Sequence, residues 1–223
     1  MPKTAMTQAE IEKVRGKILD TALDIIIDEG FDSLSVRKIA SRLGITATTI
    51  YNYYKNKDEL NLMIRVRGFQ KLYELMTKRS AVFIDIQERI GAMIRAVIEF
   101  GLAYPSYYDI MFSLRTPKYL DYVGTENEQL AYEEKQNALK CLALFIEPLN
   151  AYVPGDKPGK DEFVLYQVVK FWSDIHGLIT LYNSRLLHEV LDDVNAFLET
   201  RTLDLIDTVL QIKARVDMEE LLF

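Results

Sequence analysis

The chain is poor in the residues that most often carry site chemistry. Among its 223 residues there is one cysteine, Cys141, and there are two histidines, His176 and His188. A single cysteine closes no internal disulfide. One cysteine and two histidines fall short of the usual Cys/His zinc set. Phosphate-binding loops, paired histidines and nucleophile motifs are lacking, and Cys141 lies in an apolar run, Leu139–Ile146. The expectation is therefore a protein that is not an enzyme and holds no cofactor or metal. No apolar run approaches the roughly 18 residues of a membrane span. Met1–Glu10 is polar and lacks the apolar segment of a secretory signal. The expected setting is the reducing cytoplasm, without a membrane partner. Glycine and proline number only 10 and 6, which leaves room for long helices. Basic charge is also in short supply: the net charge is −6, which taken alone argues against a nucleic-acid binder.

What is present is helical periodicity almost throughout. Ile11, Val14, Ile18, Ala22 and Ile25 recur at steps of three and four, the signature of one buried helix face. Thr7 with Glu10 reads as a capping box and Gly30 as a stop, which places a helix over 8–29. Further helices are predicted over 36–43, 47–54, 58–79, 85–104, 106–114, 125–147, 161–187 and 192–216. Thr125 and Glu128 read as a second capping box. Residues 115–124 and 150–160 read as loops. No strand pattern or internal repeat is visible, so the expected fold class is all-α.

The informative stretch is Ser35–Lys57. Two short helices flank Gly44, the spacing of a helix-turn-helix, and glycine supplies the positive φ that the tight turn needs. Ile39, Ala40, Leu43, Ile45 and Ile50 can pack the pair together. Ala47, Thr48, Thr49, Asn52 and Tyr53 are left at or near the surface of the second helix. They are small or polar, so that helix can approach a major groove closely. The same stretch holds five basic residues, Arg37, Lys38, Arg42, Lys55 and Lys57, and no acidic one. A charge run of this kind can be a solvated helix face. Its coincidence with a glycine-broken helix pair and exposed hydroxyls favours contact with DNA phosphates.

The segment from Gly44 to Leu60, GITATTIYNYYKNKDEL, preceded by Gly30-Phe31 and Ser35-Val36-Arg37-Lys38-Ile39-Ala40, resembles the signature of the TetR-like transcription regulators across residues 11–65. The resemblance implies a homodimeric regulator. Residues 1–57 would form the helix-turn-helix DNA-binding domain, 58–80 a connecting helix, and 81–223 a larger helical domain for ligand binding and dimerisation. It implies base-facing roles for Arg37, Ala47, Thr48 and Tyr51. Phosphate contacts are implied for Ser35, Thr46, Thr49, Tyr53 and Lys57. Tyr51 could alternatively be a packing aromatic, and Tyr54 is expected to pack inside the domain. The partners implied are a double-stranded palindromic operator and a small, largely apolar effector that releases a repressor. The alternative is a ligand-independent DNA-binding or nucleoid factor of the same fold.

The C-terminal part carries Trp172…His176-Gly177, which is similar to a TetR subgroup with a Trp…His-Gly pattern. Met93, Phe100, Tyr104, Tyr108, Met111 and Phe112, with Trp172 and His176, are candidates for the effector pocket, although such a cluster can equally be plain core and His176 a structural histidine. Val164, Val168, Phe171, Ile175, Leu178 and Tyr182 form one apolar stripe. Leu205, Val209 and Ile212, with Leu198 and Val216, form another. The pair is expected to build a four-helix dimer interface. The charge is unevenly spread. Residues 1–80 hold 14 Lys+Arg against 10 Asp+Glu, a net +4, and residues 81–223 hold 13 against 23, a net −10.

Overall fold

The computed structural model of the chain describes residues 6–153 and 160–212. Among them there are helices and no strand. The main helices are α1 (Gln8–Glu29), α2 (Val36–Leu43), α3 (Ala47–Tyr51), α4 (Lys57–Ser80) and α5 (Ile86–Ala103). There follow α6 (Pro105–Tyr108), which widens into a π turn over Asp109–Ser113, α7 (Glu128–Tyr152), α8 (Lys160–Asn183), α9 (Leu186–Val190) and α10 (Val194–Leu210). Val216, assigned above to the last helix, lies outside the described residues.

The packing divides the chain into two compact units. The N-terminal unit comprises residues 1–69 and 106–136, and the C-terminal unit comprises 70–105 and 137–223. Segment 106–136 joins this first unit through contacts with α4 and with Asn56 just before it.

In the N-terminal unit, α1 starts as its sequence dictates. The Thr7 amide donates to Glu10 Oε2 (2.7 Å) and the Glu10 amide to Thr7 Oγ1 (3.3 Å). The helix stops at Gly30, whose φ of 85° admits only glycine comfortably. Its inner face, Ile18, Leu19, Ala22, Leu23, Ile25 and Ile26, is buried. Segment 106–136 lies along α4. Leu62 packs with Tyr122 and Ala131. A Cβ at Gly68 would overlap Met111 Sδ, so α4 and the π turn meet at a distance only glycine permits.

At the centre of that contact is a buried ion pair. Arg65 Nη2 meets Glu134 Oε1 at 2.6 Å, and Arg65 Nη1 donates to the Pro117 carbonyl at 3.0 Å. Burial pushes the Glu134 carboxyl above the usual glutamate range, against the opposing pull of Arg65 and Lys118. Burial likewise lowers Arg65 despite Glu134. Both directions say that desolvation outweighs the attraction, as is common for buried pairs.

The C-terminal unit is built on α5, α7, α8 and α10. Phe145 of α7 meets Phe171 of α8 edge to face at 4.9 Å. The Tyr152 hydroxyl donates to the Leu210 carbonyl (2.8 Å) and accepts from Gln87 Nε2 (2.8 Å). Asn183 Nδ2 donates to the Gly101 carbonyl at 3.1 Å.

Several boundaries differ from the sequence reading. The 47–54 helix shortens to five residues, its last turn loosening over Asn52–Tyr53. The helix expected to end at 147 runs through Pro148 to Tyr152. The Thr125/Glu128 box does not form. Thr125 Oγ1 donates to the Tyr122 carbonyl and accepts from the Asn127 amide, while Glu128 accepts from the Gly124 amide. The 161–187 helix ends at Asn183. Arg185 there adopts a left-handed φ of 62° with no glycine to announce it.

The stripe expected at a dimer interface is largely buried within the single chain. Val164, Val168, Phe171, Ile175 and Leu178 on α8, Leu205 and Val209 on α10, and Ile212 just beyond it are buried within the single chain, and Tyr182 is half-buried. Side chains that are already covered have little surface left to give a partner. Periodicity finds an inward face without saying whether the same chain or a second copy covers it.

Candidate nucleic-acid interface

The helix-turn-helix is built from both ends of α2 and α3. Ser35 caps α2, its Oγ accepting from the Lys38 amide at 3.2 Å. Gly44 ends α2 in the left-handed region, φ 65° and ψ 30°, and the Ile45 amide reaches back to the Ala40 carbonyl at 3.0 Å. Thr46 caps α3, its Oγ1 accepting from the Thr49 amide at 3.2 Å. Ile39, Ala40 and Ile50 are buried and fix the crossing of the two helices. Ile45, expected to pack between them, is instead 37% exposed, because it sits on the turn beyond α2.

This framework leaves a defined set of groups at the surface. Tyr51 is 56% exposed, too open for a packing aromatic. Arg37, Thr48 and Ser35 are exposed, and Ala47 is half-buried. The hydroxyls of Thr46 and Thr49 lie 2.9 Å apart. One of their two protons is spent between them, which leaves one to donate outward. The half-buried Tyr53 places its hydroxyl against Met6 Sδ at 3.6 Å. Lys57 opens α4 with its ammonium 4.7 Å from the Phe31 ring centre. Tyr54 points inward as expected. Its ring lies under the Arg15 guanidinium, its hydroxyl donates to the Arg15 carbonyl at 3.3 Å, and burial pushes its pKa up to about 12.

The basic count of this stretch changes meaning in three dimensions. Lys38 pairs with Glu29 at 2.5 Å, and Arg42 pairs with Asp28 at 3.1 Å and with Glu29 at 3.0 Å. The Lys38 hydrogen bond is the main reason the Glu29 carboxyl sits below its usual range. Two of the five cations therefore tie α2 to the acidic end of α1. Among the described residues, Arg37, Lys55 and Lys57 show no carboxylate partner of this kind.

The residues put forward for an effector pocket do not fall in one unit. Met93, Phe100, Tyr104, Trp172 and His176 belong to the C-terminal unit, and Tyr108, Met111 and Phe112 to the N-terminal one. Met93 and Phe100 are buried and Tyr104 is 43% exposed. Tyr108 is buried and its ring lies 4.9 Å from that of Phe112. Trp172 and His176 are half-buried on α8. Cys141 is buried with its thiol pushed up to about 12, so it offers no thiolate near neutral pH. Among the described residues no group of acidic, histidine and cysteine side chains is placed to hold a metal ion.

The sequence reading missed the loop at 122–127. Asn56 Nδ2 donates to Glu126 Oε1 at 2.8 Å, and Asn127 Nδ2 donates to Asn56 Oδ1 at 3.4 Å. These partners are 70 residues apart, and no local pattern announces them.

Comparison with known proteins agrees with this arrangement. Residues 18–62 match the family described as bacterial regulatory proteins, tetR family, and residues 90–205 match the tetracyclin repressor-like C-terminal domain. An uncharacterised HTH-type transcriptional regulator of Mycobacterium tuberculosis is 23% identical over 182 residues, 81% of this chain and 73% of the relative. The HTH-type transcriptional activator FasR of Mycolicibacterium smegmatis is 26% identical over 175 residues, 70% of this chain and 80% of the relative. Among solved structures, the transcriptional regulator FadR from Bacillus subtilis in complex with stearoyl-CoA shares the fold. Its TM-score is 0.63 at 16% identity, over 87% of this chain and 97% of that one. The two family matches cover more than half of the chain and frame the helix-turn-helix described above, so the chain belongs to the TetR family of transcriptional regulators.

Proposed function

We propose that this regulator binds a palindromic operator as a homodimer, represses transcription, and is released by a small, largely apolar effector. The observation that carries the reading is the α2–Gly44–α3 framework, which buries Ile39 and Ile50 while presenting Tyr51, Thr48, Arg37 and the capping hydroxyls. In this reading Arg37, Ala47, Thr48 and Tyr51 meet bases. Ser35, Thr46, Thr49, Tyr53 and Lys57 meet phosphates. Ala47 has no hydrogen-bonding group and the threonines make single contacts, so DNA shape supplies part of the specificity. The DNA-binding role belongs to residues 1–57 and α4 connects it to the remainder. The protein works in the cytoplasm and catalyses no reaction.

Two reading helices must enter successive major grooves about 34 Å apart, which a dimer supplies. The exposed apolar cluster of α8, Leu165, Tyr166 and Val169, is the surface we assign to that dimer, together with Leu203 of α10. Trp172 and His176 follow Leu165 and Val169 at helical spacing, so the Trp…His-Gly pattern belongs with this face and with the subgroup it resembles. Effector binding is assigned to the C-terminal unit, where Met93 can adapt its packing. An effector shifts the equilibrium only by preferring the geometry that no longer fits the operator.

The test is a gel shift with DNA from upstream of the protein's own gene, at low salt. A retarded band that competitor DNA of unrelated sequence does not abolish is the expected result. A folded dimer that retards nothing overturns the reading.

A further inference from the structure

We propose that Glu126 is a brake on DNA affinity: a carboxylate brought from the distant 106–136 segment to the start of α4, where it opposes the phosphate-binding cations next to it. The inference rests on the DNA-binding reading above and adds a determinant outside the helix-turn-helix.

Residues 1–69 hold 11 Lys+Arg and 9 Asp+Glu, a net +2, and residues 106–136 hold 3 and 6, a net −3. These two stretches pack as one unit, so the body that carries the reading helix has a net charge of −1 rather than an excess of positive charge. The basic N-terminal balance seen along the sequence is cancelled by a segment that lies far away in the chain.

Geometry then singles out one carboxylate of that segment. Asn56 lies between α3 and α4 and caps α4, its Oδ1 accepting from the Glu59 amide at 2.8 Å. Its Nδ2 donates to Glu126 Oε1 at 2.8 Å, and Asn127 secures the same side chain. Glu126 is exposed, so it keeps its charge in contact with solvent. Asn56, which holds it, stands between Lys55 and Lys57 in the chain; Lys57 carries its ammonium over the Phe31 ring, and the Lys55 amide donates to Glu59 Oε2 at 2.6 Å. An anion here acts on an incoming phosphate across about a Debye length, roughly 8 Å at physiological salt, where the repulsion is only partly screened.

A carboxylate near a helix N-terminus also steadies that helix, which is the plainer role for Glu126. The two roles predict opposite signs. If Glu126 only steadies α4, removing its charge leaves DNA affinity unchanged or lowers it. If it is a brake, removing the charge raises affinity.

The experiment is fluorescence anisotropy with operator and non-operator duplexes over a series of salt concentrations, comparing the wild type with Glu126→Gln and Glu126→Asp. Glutamine retains an oxygen that can accept from Asn56 and drops the charge. The expected result is that Glu126→Gln binds both duplexes about two- to five-fold more tightly per half-site at low salt, with the gain shrinking as salt rises. Glu126→Asp stays close to the wild type. Glu147→Gln, on an exposed residue of the C-terminal unit, controls for net charge alone. An unchanged or weakened affinity in Glu126→Gln overturns the proposal, as does an equal gain in Glu147→Gln. A wild-type protein that binds neither duplex overturns the DNA-binding reading instead, so the two failures are told apart.

Discussion

At the scale of single residues, the proposed DNA contact gives Tyr51 and Lys57 different kinds of work. Tyr51, at 56% against 37% for Ile45, is the more exposed of the two open large hydrophobic side chains of the helix-turn-helix and has a hydroxyl and a ring to offer a base edge. Tyr51→Ala is expected to cost about 1–3 kcal/mol of operator binding and little of non-specific binding, so discrimination collapses. Lys57→Ala is expected to weaken operator and non-operator DNA alike and to lower the salt slope by about one per protomer. Anisotropy on the two duplexes across a salt series checks both. If Tyr51→Ala leaves the operator preference intact, α3 is not the reading helix.

The buried Arg65–Glu134 pair is a residue-scale matter of stability. Arg65→Met leaves the Glu134 carboxylate without its partner and is expected to cost about 3–5 kcal/mol in chemical denaturation. Replacing both by leucine removes both desolvation costs and should recover most of that loss, the remainder being the Pro117 carbonyl that Arg65 now satisfies. The pH dependence follows from the raised carboxyl. The native state holds the Glu134 proton more tightly than the unfolded chain does. Its contribution is therefore complete below the usual glutamate value of 4.5 and is lost as pH rises through the raised one. Glu134→Gln should lack that decline when stability is measured from weakly acidic to neutral pH.

At the scale of elements, what was legible in the sequence is what local chemistry decides. Thr7 with Glu10, Ser35, Gly44 and Thr46 each satisfy or terminate a helix within four residues of themselves, and each does so in the structure. The helix-turn-helix and the all-helical class were legible for that reason. Elements that answer to distant partners were not. Pro148 reads as a stop, yet α7 runs through it. Lys38 and Arg42 count towards a basic run in the sequence, and only the fold shows Asp28 and Glu29 beside them. The stripe from Val164 to Leu178 is correct as a buried face and silent on what buries it. The closeness of α5 and α8 is likewise invisible in sequence: a Cβ on Gly101 would fall 2.6 Å and 2.7 Å from two carbons of Ile179. Gly101→Ala should gain up to about 1 kcal/mol of helix propensity and lose about 1–3 kcal/mol to overpacking. A net loss in urea unfolding is expected, relieved in part by Ile179→Val, which removes Cδ1 and leaves the Cγ2 overlap.

At the scale of the whole molecule, the proposed dimer needs a face on which a second copy attaches. With Val164, Val168, Phe171, Ile175 and Leu178 spent on the unit's own core, the apolar surface left on α8 is Leu181 near its end and the cluster Leu165, Tyr166 and Val169, at 44%, 65% and 53% exposure. The cluster falls within a turn and a half and carries no charged side chain of its own. Val169→Glu places a charge on that face while leaving the core stripe untouched. A monomer pays little for it, since the side chain already faces water. In a two-fold interface the same residue meets its own copy or a near neighbour, so each dimer buries two unpaired charges, at several kcal/mol. Sedimentation should therefore show Val169→Glu as a folded monomer with an unchanged helical circular dichroism signal. Operator binding should fall steeply, because a single reading helix loses the partner half-site, while residual non-specific binding persists. Val168→Glu is the informative contrast. It buries a charge in the core of one chain and should unfold the unit rather than dissociate a dimer. If Val169→Glu remains dimeric and binds the operator as the wild type does, the interface lies elsewhere on the C-terminal unit.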